Sequence, residues 1–499
     1  MNKRLIYGKI QIVCFYFLLT ILAGCSKLDK VPISQKSVEG FYQTENQINQ
    51  AVIGGYNGLR TVWVTSQTSY MLTESRSDNT MQGVAYDDGA VSRFEVKPDL
   101  AILSTAWSQY YHYINSCNQL LKASPNVQMD DIKRKQYEGE AKFQRALFYF
   151  DLVRLFGGVP IVTTPITIKE SYGVKRSTVE DVYNLIVKDL TEAIEDLPLS
   201  YNDTNTGRAT KWAAKGFLGK VYLFRSGYPL QKNEWEKASA LFKEIINSGQ
   251  FQFFANYEDI YNFSFESDKQ QVFSIKFKAG ANGNGNPFPT RNASNDIKPV
   301  SSAQGGLPFG GSPYNLFLSG DLVNSYEDGD IRKEVSILSS WLHKSGEIIT
   351  TLPTCKKYQN GTVVAANDWD IDWIALSYTD VLMMYAECLN ELSYVPSGES
   401  FTILNNVRQR AKLSPKTATE IPDQQSFRLW MEKERRHEFA FENLRWFDLV
   451  RTDRALDVMK HFLTPYGFGA NLKGKEQYIY PIPQSVIDVT PSIEQNPGY

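Results

Sequence analysis

The sequence predicts a mainly α-helical body of stacked hairpins, with long loops and minor β hairpins. Three observations carry that expectation: apolar residues recur three and four apart over most of the chain, turn residues split these stretches into neighbouring pairs, and Gly and Pro gather in long intervening segments. The chain has 499 residues, 42% hydrophobic and 22% charged, which excludes a disordered tail, a collagen-like rod and a small disulfide scaffold. With 53 Lys+Arg against 55 Asp+Glu there is no basic excess to release counterions from a phosphate backbone, so nucleic acid is not an expected partner.

The amino terminus reads as a targeting segment. Lys3, Arg4 and Lys9 precede an apolar run, Ile10 to Ile21, too short to span a bilayer as a helix. Leu22-Ala23-Gly24-Cys25 follows, and it resembles a bacterial lipoprotein lipobox. Residues 1–24 are therefore expected to be a signal peptide, Cys25 the lipid acceptor, and 25–35 a lipid-anchored linker. Removing Lys3, Arg4 and Lys9 with the signal takes the 53 basic residues to 50 against 55 acidic ones, a net charge of −5. Cys117, Cys355 and Cys388 then remain as thiols, which allows one disulfide at most; Cys388 sits in an apolar helical pattern and is expected to be buried and free.

The helical pairs follow in order. In the first, Phe143, Leu147, Phe150 and Val153 line one face of a helix that stops at Gly157-Gly158-Val159-Pro160; its partner begins at a capping box of Ser177 and Glu180 and ends at Pro198. The second joins Thr210–Phe224, rich in small residues, to a helix started by Asn233 and Glu236 with Trp235, Ala238, Phe242 and Ile245 in register. The third is Ile374–Leu392 followed by Glu399–Ala411. Large-small hairpins of this kind look like degenerate tetratricopeptide units. Between the second and third pairs, Gly280–Pro313 is too rich in Gly and Pro for a regular helix or central strand and reads as a long functional loop, flanked by β-like stretches at Gln271–Phe277 and Ile348–Tyr358. Regions 36–260 and 261–499 are expected to pack into one globular unit.

Catalytic constellations are missing from the sequence. His112, His343, His437 and His461 form no zinc motif, and neither a nucleophile elbow nor a phosphate-binding Gly-Lys-Ser/Thr loop occurs. Asp368, Asp370 and Asp372 begin like a calcium loop, but the following Gly is absent and Thr379 stands where the twelfth-position acid belongs. The expectation is a solvated turn, with no metal, no cofactor and no enzymatic activity. The stretch Glu432–Arg451 alternates in charge, with Glu442 and Arg445, and Asp448 and Arg451, at helical i,i+3 spacing among aromatics. It reads as a structural ion-pair network of Glu434, Arg435, Glu438, Glu442, Arg445, Asp448 and Arg451.

That same stretch, Glu434-Arg435-Arg436-His437-Glu438-Phe439 through Arg445-Trp446-Phe447-Asp448-Leu449-Val450-Arg451, together with Tyr480-Pro481-Ile482-Pro483 and the ending Gln495-Asn496-Pro497-Gly498-Tyr499, resembles the SusD/RagB family of outer-membrane nutrient-binding lipoproteins. Gly207-Arg208-Ala209-Thr210-Lys211-Trp212, Leu155-Phe156-Gly157-Gly158-Val159-Pro160 and Leu382-Met383-Met384-Tyr385-Ala386-Glu387 are similar to it as well. The resemblance implies a SusD-like helical body with glycan-binding loops, held at the outer membrane by its lipid, facing the cell surface, and seated on a SusC-like TonB-dependent transporter.

Sugars are held by aromatic faces and by planar amide or guanidinium groups. The loops offering both supply the candidates Arg76, Asp78, Asn79 and Tyr86, then Phe288, Arg291, Asn292, Asn295, Phe309 and Tyr314, with Trp341 a third possibility. Two other classes compete with a glycan binder: a tetratricopeptide-type protein-binding scaffold lipoprotein, which the carboxy-terminal motifs disfavour, and a lipid-anchored hydrolase, which lacks any catalytic signature.

Overall fold

In the computed structural model, the described residues are 41–499 except 67, 82–86, 203–204, 263, 265–268, 281–282, 301–306 and 312–317. The signal peptide, Cys25 and the linker lie outside them, as do Tyr86 and Tyr314.

Eleven helices carry the architecture: α1 Glu45–Arg60, α2 Ala101–Ala123, α3 Asp131–Phe156, α4 Val179–Asp196, α5 Lys211–Ser226, α6 Trp235–Asn247, α7 Tyr378–Leu392, α8 Glu399–Arg410, α9 Gln424–Glu438, α10 Arg445–Arg451 and α11 Ala455–Leu463. They stack in sequence, α1 on α2 and α3, α3 along α4, α4 along α5, and so through α6 and α7 to α8 and α9. The body is mainly α, and the three pairs read from periodicity are present as α3/α4, α5/α6 and α7/α8. Close approach within a hairpin depends on small residues: a Cβ on Gly219 of α5 would lie 2.6 Å from the Phe242 ring of α6.

Three helix starts differ from the sequence reading, each for a tertiary reason. Ser177 is tied to the preceding segment, its N–H donating to the Val159 carbonyl at 3.1 Å, and Thr178 takes over as the cap, accepting from the Asp181 N–H. Asn233 sits at φ 55°, outside the extended geometry a cap requires; α6 begins instead at Trp235, and the Glu234 N–H is satisfied by the Ser226 hydroxyl at 2.7 Å. Likewise Trp373–Ser377 is a strand, and Ser377 caps α7.

The described strands form four antiparallel pairs: β1 (Gln271–Ile275) with β8 (Trp373–Ser377), β2 (Ile337–Leu338) with β5 (Thr354–Cys355), β3 (Trp341–Leu342) with β4 (Ile348–Ile349), and β6 (Thr362–Ala365) with β7 (Asp368–Asp370). The stretch read as β-like at 348–358 thus divides between two hairpins. One connected cluster of buried hydrophobics runs from Leu59 to Ile493, with a smaller cluster around Ile48, Val52 and Leu120. Cys117, Cys355 and Cys388 are all buried free thiols, and burial pushes Cys117 and Cys355 up to about 12. No helix among the described residues is long and apolar enough to cross a membrane.

The 155–160 motif and the carboxy-terminal motifs meet. The Asn496 side chain is buried and donates to the carbonyls of Phe156 at 2.9 Å and Tyr480 at 2.6 Å, while its oxygen accepts from Arg176 at 2.5 Å. Arg176 also donates to the Gly158 carbonyl at 2.7 Å, and the Tyr480 N–H to the Leu155 carbonyl at 2.7 Å. Gly158 leaves the room this needs, since a Cβ there would lie 2.3 Å from the Ser177 carbonyl oxygen.

Candidate functional site

The carboxy-terminal charges form an interior lattice. Glu434 on α9 receives two guanidinium groups, Arg332 at 2.9 Å and Arg408, with all three side chains fully buried. Arg332 also grips Asp330 and Arg408 grips Glu327 at 2.9 Å, while Arg410 pairs with Glu438. Arg435 joins Asp380 at 2.7 Å to Asp448 at 2.9 Å, and Asp380 is shared with Lys220. Arg451 pairs with Asp448 at 2.8 Å, the i,i+3 contact expected from sequence, and with Glu387. The other expected contact, Glu442 with Arg445, is replaced. Glu442 meets Lys357 at 2.7 Å and the Tyr261 hydroxyl, and Arg445 makes a bidentate pair with Asp78 at 2.8 Å.

These pairs account for several sequence-nominated sugar residues. Burial works against the Asp78 charge, but Arg436 and Arg445 overcome it and hold the carboxyl down at about 2. Asn79 donates to Glu74 and accepts from Arg436. Arg76, 1% exposed, donates to the carbonyls of Val91 and Gln477 and lies over the Phe94 ring at 3.7 Å. Arg76, Asp78 and Asn79 are therefore interior architecture rather than a sugar-facing edge.

Two buried groups here have opposite effects on stability with pH. Burial, reinforced by Arg332, Arg436 and Lys433, lowers His437 from 6.5 to about 2, while its Nε2 lies 2.9 Å from the Ser325 hydroxyl and its ring stacks on Tyr326. Burial raises Glu74 from 4.5 to about 7 despite the N–H groups of Phe441 and Asn443. Unfolded His437 binds a proton below pH 6.5 and folded His437 does not, so its contribution is lost as pH falls. Folded Glu74 keeps a proton that the unfolded group releases above 4.5, so its contribution is lost as pH rises toward 7. Between pH 4.5 and 6.5 the two slopes, each about 1.4 kcal/mol per pH unit, oppose one another. His437→Gln is expected to leave a protein that loses stability as pH rises through this window, and Glu74→Gln one that loses it as pH falls; urea midpoints at pH 4.5, 5.5 and 6.5 check both signs.

The 280–313 loop is anchored rather than loose at its described base. Asn286 and Trp369 exchange backbone hydrogen bonds at 2.8 and 3.2 Å, and the Trp369 indole donates to the Thr290 hydroxyl at 2.8 Å. Phe288, in the one-turn helix Phe288–Arg291, inserts among Tyr70, Tyr358 and Trp373. Farther along, the loop joins the β3–β4 hairpin: Lys298 N–H donates to Leu342 at 2.7 Å, and Lys344 N–H to Asp296 at 2.9 Å. Segments 293–300 and 307–311 and the hairpin thereby make one platform.

On this platform Phe309 is exposed, at 45% of its surface. Arg291 is half-buried and donates to the Thr65 carbonyl, and Asn295 is also half-buried. Phe288, Asn292 and Trp341 are buried, and the Trp341 indole donates to the Leu352 carbonyl at 2.7 Å, so none of the three offers a free face. Of the aromatics nominated from sequence, Phe309 is the one that presents a ring among the described residues. No group of three or more His, Cys, Asp or Glu among them is placed to hold a metal ion. The triplet expected as a solvated turn is otherwise placed: Asp368–Asp370 is strand β7, Asp368 and Asp372 are buried, and Asp370 and Asp372 pair with Lys278 and Lys276.

Two family models match the chain, one described as "SusD family" over residues 200–499 and one as "Starch-binding associating with outer membrane" over residues 28–223. Among curated relatives, a SusD-like protein P2 of Formosa agariphila is 27% identical, spanning 98% of this chain and 99% of its own. A SusD-like protein of Bacteroides ovatus is 25% identical over 90% and 84%. Among solved structures, a SusD homologue from Bacteroides thetaiotaomicron superposes with a TM-score of 0.77 at 23% identity, covering 93% of this chain and 98% of that one. The surface glycan-binding protein A of the same organism, in complex with laminarihexaose, gives 0.75 at 20% identity over 91% and 100%. By the match to more than half its length and by the fold, this chain belongs to the SusD family.

Proposed function

We propose that this protein is an outer-membrane lipoprotein that binds a glycan on its loop platform, without altering it, and delivers it to a SusC-like TonB-dependent transporter. The observation that carries the reading is the match of residues 28–223 to the family described as starch-binding and outer-membrane-associating. Support comes from two similar structures, one described as a laminarin-binding SusD-like protein and one holding laminarihexaose. Phe309 supplies the aromatic face a pyranose stacks on, and the rigid helical body behind it presents the broad surface a transporter would need.

Tethering supplies the coupling. Confinement to one membrane raises the effective concentration of binder and transporter, so a modest interface stays occupied and the protein serves as a lid over the pore. Each buried acyl CH₂ contributes about 0.8 kcal/mol, so two or three chains on Cys25 hold the protein firmly. Cys25→Ala is expected to move the protein from the membrane fraction to the soluble one, an unchanged distribution contradicting the anchor. Mild-detergent extraction of the unaltered protein, followed by affinity purification, is expected to recover a large outer-membrane transporter with it. Recovery of the protein alone while the transporter is intact would count for the protein-scaffold reading.

A further inference from the structure

A groove of about 340 Å³ opens on the flank of the molecule, between the last turns of α1, the segment 205–208, and β1 with the residues that follow it. Its wall carries three cations, Arg60, Arg208 and Lys276, and three amides, Asn57, Asn205 and Asn284; no carboxylate lines it among the described residues. Two of the cations have their counter-charges behind the wall. Arg208 lies 3.3 Å from Glu140, which is fully buried, and Lys276 pairs with Asp372, whose side chain is 2% exposed. From the groove side both present positive charge.

Arg60 is different. Its guanidinium meets neutral oxygens: Asn57 Oδ1 at 3.4 Å, Asn284 Oδ1 at 3.2 Å and the Gly283 carbonyl. No carboxylate among the described residues pairs with it, and its Nε is buried without a hydrogen-bond partner. Burial lowers its pKa with no acid to offset the shift. The Phe277 ring, 5.2 Å away, and the two amides fix the group in place. A partly desolvated cation held rigid without a counter-charge is unfavourable unless an anion completes it, and a planar guanidinium fork matches a carboxylate or a sulfate oxygen pair. The amides beside it suit the hydroxyls of the ring that carries such a group.

We propose that this groove is a subsite for an anionic group on a sugar, so that the ligand class of the protein is an acidic glycan, carrying carboxylate or sulfate. This rests on the glycan-binding reading and adds the charge of the ligand to it. Calorimetric titration of the soluble mature protein with oligogalacturonates, with sulfated carrageenan oligosaccharides and with neutral laminarin oligosaccharides tests it. At least one acidic probe is expected to bind, with affinity falling several-fold from 50 to 500 mM NaCl as the charges are screened. Arg60→Gln is expected to lower that affinity about tenfold, and Arg60→Lys to restore part of it, both with unchanged melting. Binding of the galacturonate alone assigns carboxylate chemistry, and of the carrageenan alone sulfate chemistry.

Failure to bind either acidic probe while laminarin binds in a Phe309-dependent way overturns the inference and leaves the glycan reading standing. Equal binding of an acidic probe by Arg60→Gln and the unaltered protein overturns it as well. Loss of transporter recovery in Arg60→Gln with acidic-glycan affinity intact overturns it in favour of a protein carboxylate as the occupant. No binding of any of the three probes overturns the inference, and the absence of binding to starch oligosaccharides as well overturns the glycan reading with it.

Discussion

Glu434→Ala is expected to destabilise the fold by about 3–5 kcal/mol, because it leaves two buried guanidinium groups facing each other across an empty site. Arg332 and Arg408 are both fully buried, and Glu434 is the carboxylate they share. Asp330 and Glu327 still hold one guanidinium each, so the arginines stay in place and repel. Glu434→Gln keeps the shape and loses the charge, so it separates the electrostatic part from the cavity. Urea unfolding of the two variants measures the cost. A loss below 1 kcal/mol for Glu434→Ala would show that the lattice is not what locks α9 to the body.

Asn496→Ala is expected to cost about 3 kcal/mol, from three hydrogen bonds lost at once in a buried site. The Tyr480 carbonyl loses its donor, the Phe156 carbonyl is left with a long 3.4 Å bond from Arg176, and Arg176 keeps the Gly158 and Glu494 carbonyls but loses the Asn496 oxygen. The effect should be local before it is global. The segment after Tyr480 is held to the end of α3 largely through this side chain, so protease cleavage near the carboxy terminus should rise many-fold under conditions where the helical body stays resistant. Equal resistance in the variant and the unaltered protein would contradict the role assigned to Asn496.

The hairpins were legible because helical periodicity is local: Phe143, Leu147, Phe150 and Val153 mark a buried face without reference to anything beyond their own turn. Two helix starts were legible to within one or two residues, and the one read at Ile374 was four residues early, because 373–377 pairs as a strand with 271–275. Ser177 has the chemistry of a cap, but its backbone is engaged with Val159 across the hairpin, a fact no local pattern contains. The charged stretch was readable as an ion-pair lattice, yet most of its partners, Arg332, Lys357, Asp380 and Arg408, lie far away in the chain. Spacing rules therefore found the Asp448–Arg451 contact and misassigned Glu442.

The candidate site was the least legible part. Residue type identifies what a side chain is able to do with a sugar, whereas exposure decides whether it does so, and exposure is set by the whole fold. Trp341 and Phe288 have suitable rings but spend them on packing, and Arg76 and Asn79 have suitable donors but spend them on the interior. Arg60 drew no notice in sequence because an arginine at the end of a helix is ordinary; its missing counter-charge emerges only when β1 and the loop at 283–284 are brought beside it.

The account stands on glycan binding by the loop platform, and Phe309 is where it is most exposed to test. Titrating the mature protein and its Phe309→Ala variant with laminarin and starch oligosaccharides and with the acidic probes measures it directly. The account predicts saturable binding of at least one glycan, with a Kd of about micromolar or weaker and chain length unchanged after incubation. The variant should bind about fivefold more weakly, the worth of one aromatic stacking contact, with unchanged melting. No saturable binding to any of these glycans, or equal affinity in Phe309→Ala, would contradict it.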